Sequence, residues 1–104
     1  MALIDDFKIA YRISINNEAI NSQINDLIDE AKDDLTSTAN IVIPGTITGK
    51  IKGAILLYAG SRWYQVSDPD RSAALRDAYN VCKKELLMSS KYSDYEEVDN
   101  GQSD

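Results

Sequence analysis

Gly45-Thr46-Ile47-Thr48-Gly49-Lys50 is the stretch closest to a phosphate-binding loop, with glycines, hydroxyls and a lysine in six positions. The nucleotide motif needs four residues between its glycines, and Ser or Thr after the lysine to hold magnesium. Here three intervene and Ile51 follows, so nucleotide binding is not expected. Asp68-Pro69-Asp70-Arg71-Ser72 opens like a calcium loop. Such a loop needs glycine at its sixth position and a bidentate glutamate at its twelfth. Ala73 and Tyr79 stand there instead, and a helix start explains the same residues. Asp26, Asp29, Glu30, Asp33 and Asp34 crowd one stretch and could attract divalent ions, but an acidic solvated helix face is the ordinary reading. Cys82 would need a neighbouring base to become a nucleophile. The chain has no histidine, and Cys82 falls among apolar positions, as a core residue would. Neither an enzymatic activity, a cofactor nor a metal site is expected.

The elements that would position any site must fit into 104 residues. That length suits one small domain with a modest core. The net charge is −6, from 17 acidic and 11 basic residues. Such a balance opposes sequence-independent binding to nucleic-acid phosphates or anionic lipid. A single cysteine permits no intramolecular disulfide and suits a reducing cytosol. Met1 to Asp6 has neither a basic nor an apolar signal region, so no signal peptide is expected. The longest apolar run, Ala54 to Ala59, is too short to span a bilayer, and no membrane partner is expected.

Hydrophobic spacing predicts four helices, near 3–13, 18–36, 49–66 and 69–89, and an all-α fold. In the first, Leu3, Phe7, Ala10 and Tyr11 share a face. Asn16 or Asn17 can cap the second, and Glu18 suits its positive end. Ile20, Ile24, Leu27, Ile28, Ala31 and Leu35 then form one stripe of period 3.6, with Thr36-Ser37-Thr38 to end it. Asn40 to Thr48 is an extended loop or a small hairpin around Pro44-Gly45, and Thr48 is a good N-cap. Asp68 caps the fourth helix, Pro69 fits its first turn, and Ala74, Leu75, Ala78, Tyr79, Cys82 and Leu86 form its apolar stripe. Ile24, Ile28, Leu35, Ile55, Tyr58 and Leu75 are the expected core.

The third helix is apolar all round in its middle, Ala54-Ile55-Leu56-Leu57-Tyr58-Ala59. Too few neighbours exist in a small domain to cover such a helix, so part of its surface is expected to meet another subunit. Gly53 and Gly60 share one of its faces, for a close crossing within the domain or a subunit contact. Trp63 and Tyr64 at its end suit core packing, and such residues also anchor subunit contacts. Ile43 in the loop is a further contact candidate. From Lys91 the character changes. Lys91 to Asp104 sets five acids against one base, a net of −4, leaving −2 for the preceding ninety residues. Low hydrophobicity with high charge predicts a disordered acidic tail over 91–104 behind a helical domain over 1–90. Tyr92 and Tyr95 interrupt that tail as candidate anchors.

These pieces together resemble a known family. LIDDFKIAYRI over Leu3 to Ile13, a short break, then the stripe ending Asp26-Leu27-Ile28-Asp29-Glu30-Ala31-Lys32 is one half. KGAILLYAGSRWY over Lys52 to Tyr64 is the other. The arrangement is similar to that of the head–tail connector, or adaptor, proteins of long-tailed bacteriophages, over roughly residues 3 to 66. Lys8, Arg12-Ile13 and the aromatic-Tyr pair Trp63-Tyr64 match positions frequent in that family. Gln65-Val66-Ser67 replaces the acidic-Asn-Arg stretch often found next, and a frequent Leu-Pro pair is missing. The resemblance implies a helical protomer of a dodecameric ring below the portal protein. DNA would pass through the lumen without sequence-specific binding, and a stopper or tail-completion protein would dock beneath. It implies a place in the virion neck, and in the host cytoplasm during assembly. An acidic lumen would let DNA slide without sticking. The rival reading is a small cytosolic helical regulator or DNA-mimic interaction protein, and a carboxylate-only enzyme is the remaining catalytic option.

Overall fold

A computed structural model describes residues 3–47 and 49–88. Four helices account for nearly all of it: α1 (Leu3–Ala10), α2 (Glu18–Ala39), α3 (Gly49–Trp63) and α4 (Pro69–Leu87). The domain is all-α, and no strand forms among the described residues. Of the two expectations for 40–48, the described part, 40–47, takes the loop. Thr48, the expected cap of α3, and the tail over 91–104 lie outside the described residues.

Each helix boundary has a local cause. α1 stops three residues earlier than its apolar pattern suggests, because Arg12 takes a left-handed conformation (φ 55°). The Arg12 amide then donates to Ile9 and the Ile13 amide to Lys8, closing the helix end and turning Ile13 back onto the core. α2 begins as expected, with the Asn17 side chain accepting from the Ile20 amide at 2.8 Å. It runs past the expected end at 36. The Ser37 and Thr38 hydroxyls donate to the carbonyls of Asp33 and Asp34, so they satisfy themselves inside the helix. Asn40, left-handed at φ 53°, ends it, and the amides of Asn40 and Ile41 both donate to the Leu35 carbonyl. α3 ends at Trp63 rather than 66, because residues 64–67 must turn the chain into α4. There Asp68 caps as expected, accepting from the Arg71 amide at 3.2 Å.

α3 lies at the centre and packs against α1, α2 and α4. Its apolar surface is therefore covered largely within the chain. Ile51, Ala54, Ile55, Tyr58 and Ala59 are buried, and Leu56 and Leu57 are half-buried against the same core. Leu56 and Leu57 keep part of the helix surface in solvent. The α2 stripe is buried where the spacing placed it, at Ile24, Ile28, Ala31 and Leu35. Of the six expected core residues five are buried, and Leu75 is only half-buried.

The correction at Leu75 belongs to α4 as a whole. Ala74 and Ala78 of its expected stripe are exposed. Tyr79, Cys82 and Leu86 of that stripe do face inward, and they are joined there by Ser72, Arg76 and Lys83 rather than by the alanines. Tyr79 and Leu86 are fully buried, and the Tyr79 ring stands edge-on to Tyr58 at 5.2 Å. Two large buried anchors set the rotation of the helix, and they outweigh the alanines, which have little surface to bury.

Candidate interaction surfaces

At the corner where α1 meets the end of α3, four aromatic rings form one chain of contacts. Phe7 lies 4.8 Å from Tyr11 and 5.8 Å from Trp63, and Tyr11 lies 5.7 Å from Tyr64. Arg71 of α4 caps the group, its guanidinium 4.2 Å from the Tyr64 ring centre. The Tyr11 hydroxyl donates to the Leu56 carbonyl at 2.9 Å. Burial there pushes its pKa up, against a smaller lowering by Arg71. Trp63 and Tyr64 are both half-buried, so each has one face engaged inside the chain and part of its ring in solvent.

Gly60 and Gly53 separate at this point. A Cβ on Gly60 would collide with the Tyr11 ring and hydroxyl, so the glycine makes room on α3 for the Tyr11 side chain, just past the end of α1. A Cβ on Gly53 would meet nothing within 4 Å. Gly53 is half-buried, and no close approach there requires a glycine. Ile43 is half-buried against the core, while its neighbour Val42 is exposed. Tyr92 and Tyr95 lie outside the described residues.

The crowded acids of α2 divide in two. Asp26, Asp29 and Asp33 are exposed, forming the solvated face the spacing suggests. Glu30 and Asp34 are partly withdrawn and bonded. Glu30 accepts from the Tyr58 hydroxyl at 3.1 Å and pairs with Arg62 at 3.2 Å. Asp34 accepts from the Tyr79 hydroxyl and from Lys83, the latter at 3.2 Å. Burial, then the bond to the carboxylate, raises the pKa of both tyrosines. Among the described residues no three carboxylate or thiol groups converge as metal ligands. The Cys82 thiol is half-buried, donates to the Lys50 carbonyl at 3.5 Å, and is pushed up in pKa by burial and then by Glu85. A thiol so placed is a poor nucleophile.

The described residues also form concave areas between the helices. A shallow groove of about 530 Å³ lies between the start of α1, the middle of α2 and the loop at 45–47, with Ile4, Ile28 and Ile47 in it and Asp6, Lys32 and Lys52 around it. A smaller one of about 370 Å³ lies between the end of α3 and the start of α4. It borders Ser61, a fully buried hydroxyl the sequence reading passed over. Ser61 donates to the Tyr58 carbonyl at 2.6 Å and accepts from Arg76 at 3.2 Å, while its own carbonyl accepts from Ser72 at 2.6 Å. The signal was present in sequence, because Ser72 and Arg76 share a helical face with Tyr79. Neither area gathers a catalytic set from the described residues.

Compared with known family models, curated proteins and solved structures, the chain gives no match. No described helix is long and apolar enough to cross a membrane.

Proposed function

We propose that the chain is a structural connector subunit of a phage neck. Copies of it would form a ring between the portal protein and the stopper or tail-completion protein, and DNA would pass through the ring. One observation carries the reading. The residues that give the family resemblance are the joints of this fold. Lys8 donates to Asn21 and ties α1 to the start of α2. Arg12 ends α1, and Ile13 turns back onto the core. Trp63 and Tyr64 close α3 against Phe7 and Tyr11. A pattern of mere surface chemistry would have no reason to fall on these joints.

The exposed acids of α2 suit a lumen-facing surface that repels DNA. The same exposed row, Asp26, Asp29 and Asp33, supports the second reading, a DNA-mimic or regulatory protein of the cytosol. Native mass measurement of the chain, alone and mixed with a portal protein, separates the two. Ring-sized assemblies or portal binding support the connector. A chain that stays small and ignores the portal, but binds a DNA-binding protein, replaces it with the mimic.

The acidic segment over 91–104 enters the connector reading as a docking strap, with Tyr92 and Tyr95 as anchors. Deleting 91–104 is expected to leave the fold intact and to weaken docking to the portal or the next neck ring. Replacing only the two tyrosines with alanine should reproduce much of that loss, because acids alone supply a weak, salt-screened attraction. Unchanged co-sedimentation of the truncated chain would remove the strap and direct attention to the loop at 38–48.

A further inference from the structure

α4 carries two rows of side chains with the same 4, 3, 4, 3 spacing, on opposite sides of the helix. The inner row, Ser72 to Leu86, packs on α2 and α3. The outer row is Ala74, Ala78, Val81, Glu85 and Met88, and all five are exposed. Val81 is 59% and Met88 80% exposed. Glu85 is drawn off the row by its ion pair with Lys50 at 3.0 Å. What remains is an apolar strip, graded from small residues in the first half of the helix to large ones in the second. Asp77 and Lys84 flank it, both exposed, and no group among the described residues engages either.

We infer that this face pairs with α4 of a second copy of the chain, antiparallel, about a twofold axis through Val81. The grading and the charges choose both the partner and the direction. In the antiparallel pair Val81 meets its own counterpart, and Ala74 lies opposite the second copy's Met88, so small residues receive large ones. Asp77 comes level with the second copy's Glu85, whose carboxylate Lys50 already holds, and beside its Lys84, and symmetry makes that contact twice. A parallel pair would set Met88 on Met88 and leave a gap between facing alanines. A strip that completes itself under a twofold is an isologous surface, whereas a ring needs two different patches. The pairing is therefore a property of the free chain and does not rest on the connector reading. A single helix pair is narrow, which places the contact in the weak, transient class, with a Kd on the order of 10–100 μM.

Sedimentation of the full chain across that concentration range tests it. A monomer–dimer equilibrium is expected. Val81→Glu should raise the dimer Kd by about tenfold or more, because it brings two carboxylates together at the axis. Asp77→Lys should raise it several-fold, and Asp77→Lys with Lys84→Asp should bring it back, since the reversed pair is again complementary. Circular dichroism of each variant should match the parent, as all three positions are exposed. A chain that stays monomeric throughout would overturn the inference. So would a larger species formed without a dimer, a dimer indifferent to Val81→Glu, or a double reversal that fails to restore pairing.

Discussion

α2 and α4 are the two long helices of this domain, and they use their residues in opposite ways. α2 buries a purely apolar stripe and keeps most of its charge in water. α4 turns Ser72, Arg76 and Lys83 inward around Tyr79 and Leu86, and leaves Ala74, Ala78, Val81 and Met88 outside. The first is stabilised mainly by burial of apolar area. The second is held by two large anchors and a polar web, in which each inward polar group finds a partner: Ser61 for Ser72 and Arg76, Asp34 for Tyr79 and Lys83. The contrast shows that an apolar stripe reveals the inward face of a helix only when its other face is clearly polar. Where alanines are spread around the helix, the largest side chains decide.

The comparison breaks most sharply at Ile28. Its truncation in Ile28→Ala should cost on the order of 2–5 kcal/mol in chemical denaturation. A loss below about half a kcal/mol would mean that α2 is not the apolar anchor of the fold. On α4 the corresponding test is polar. Tyr79→Phe keeps the ring but leaves Asp34 without its hydroxyl donor, at an expected cost of about 1–2 kcal/mol. No change there would mean that the polar web contributes nothing to the rotation of α4.

Alkaline titration sharpens the same point. Tyr11, Tyr58 and Tyr79 all have folded pKa values raised above the ordinary 10.0, chiefly by burial. The folded state thus holds their protons more tightly than the unfolded one. Their contribution is fully present below about pH 10 and is lost as the pH climbs above it. Denaturation midpoints should fall above pH 10, and Tyr79→Phe should flatten that fall. Phenolate absorbance developing well before unfolding would contradict the burial. The smallest effect is expected at Ala78, inside the apolar stripe by spacing but exposed in the fold. Ala78→Lys should move stability in dilute solution by no more than about half a kcal/mol.

The four helices were legible because local chemistry and periodicity agree along most of the chain. Asn17 and Asp68 announce two helix starts, and the α2 stripe has one period and one polar face. Ends were less legible. Whether Thr36-Ser37-Thr38 stops a helix depends on hydroxyls that can bond forward in a turn or back to carbonyls at i−4, and burial of Ala39 favours the second. The contact candidates were legible only as residue types. Gly53 and Gly60 are equivalent in sequence, seven apart on one helix, and only the placement of the Tyr11 ring makes a glycine necessary at one and not at the other.

The sequence by itself therefore determined the fold class, the helix order, the buried face of α2 and the lack of histidine chemistry. These follow from side-chain type and spacing within one element. Tertiary structure alone decided the rotation of α4, the covering of α3 and the division of the α2 acids into bonded and free. Each of those depends on which partner occupies the space across an interface. That is a property of pairs of elements, and the periodicity of a single helix carries no record of it.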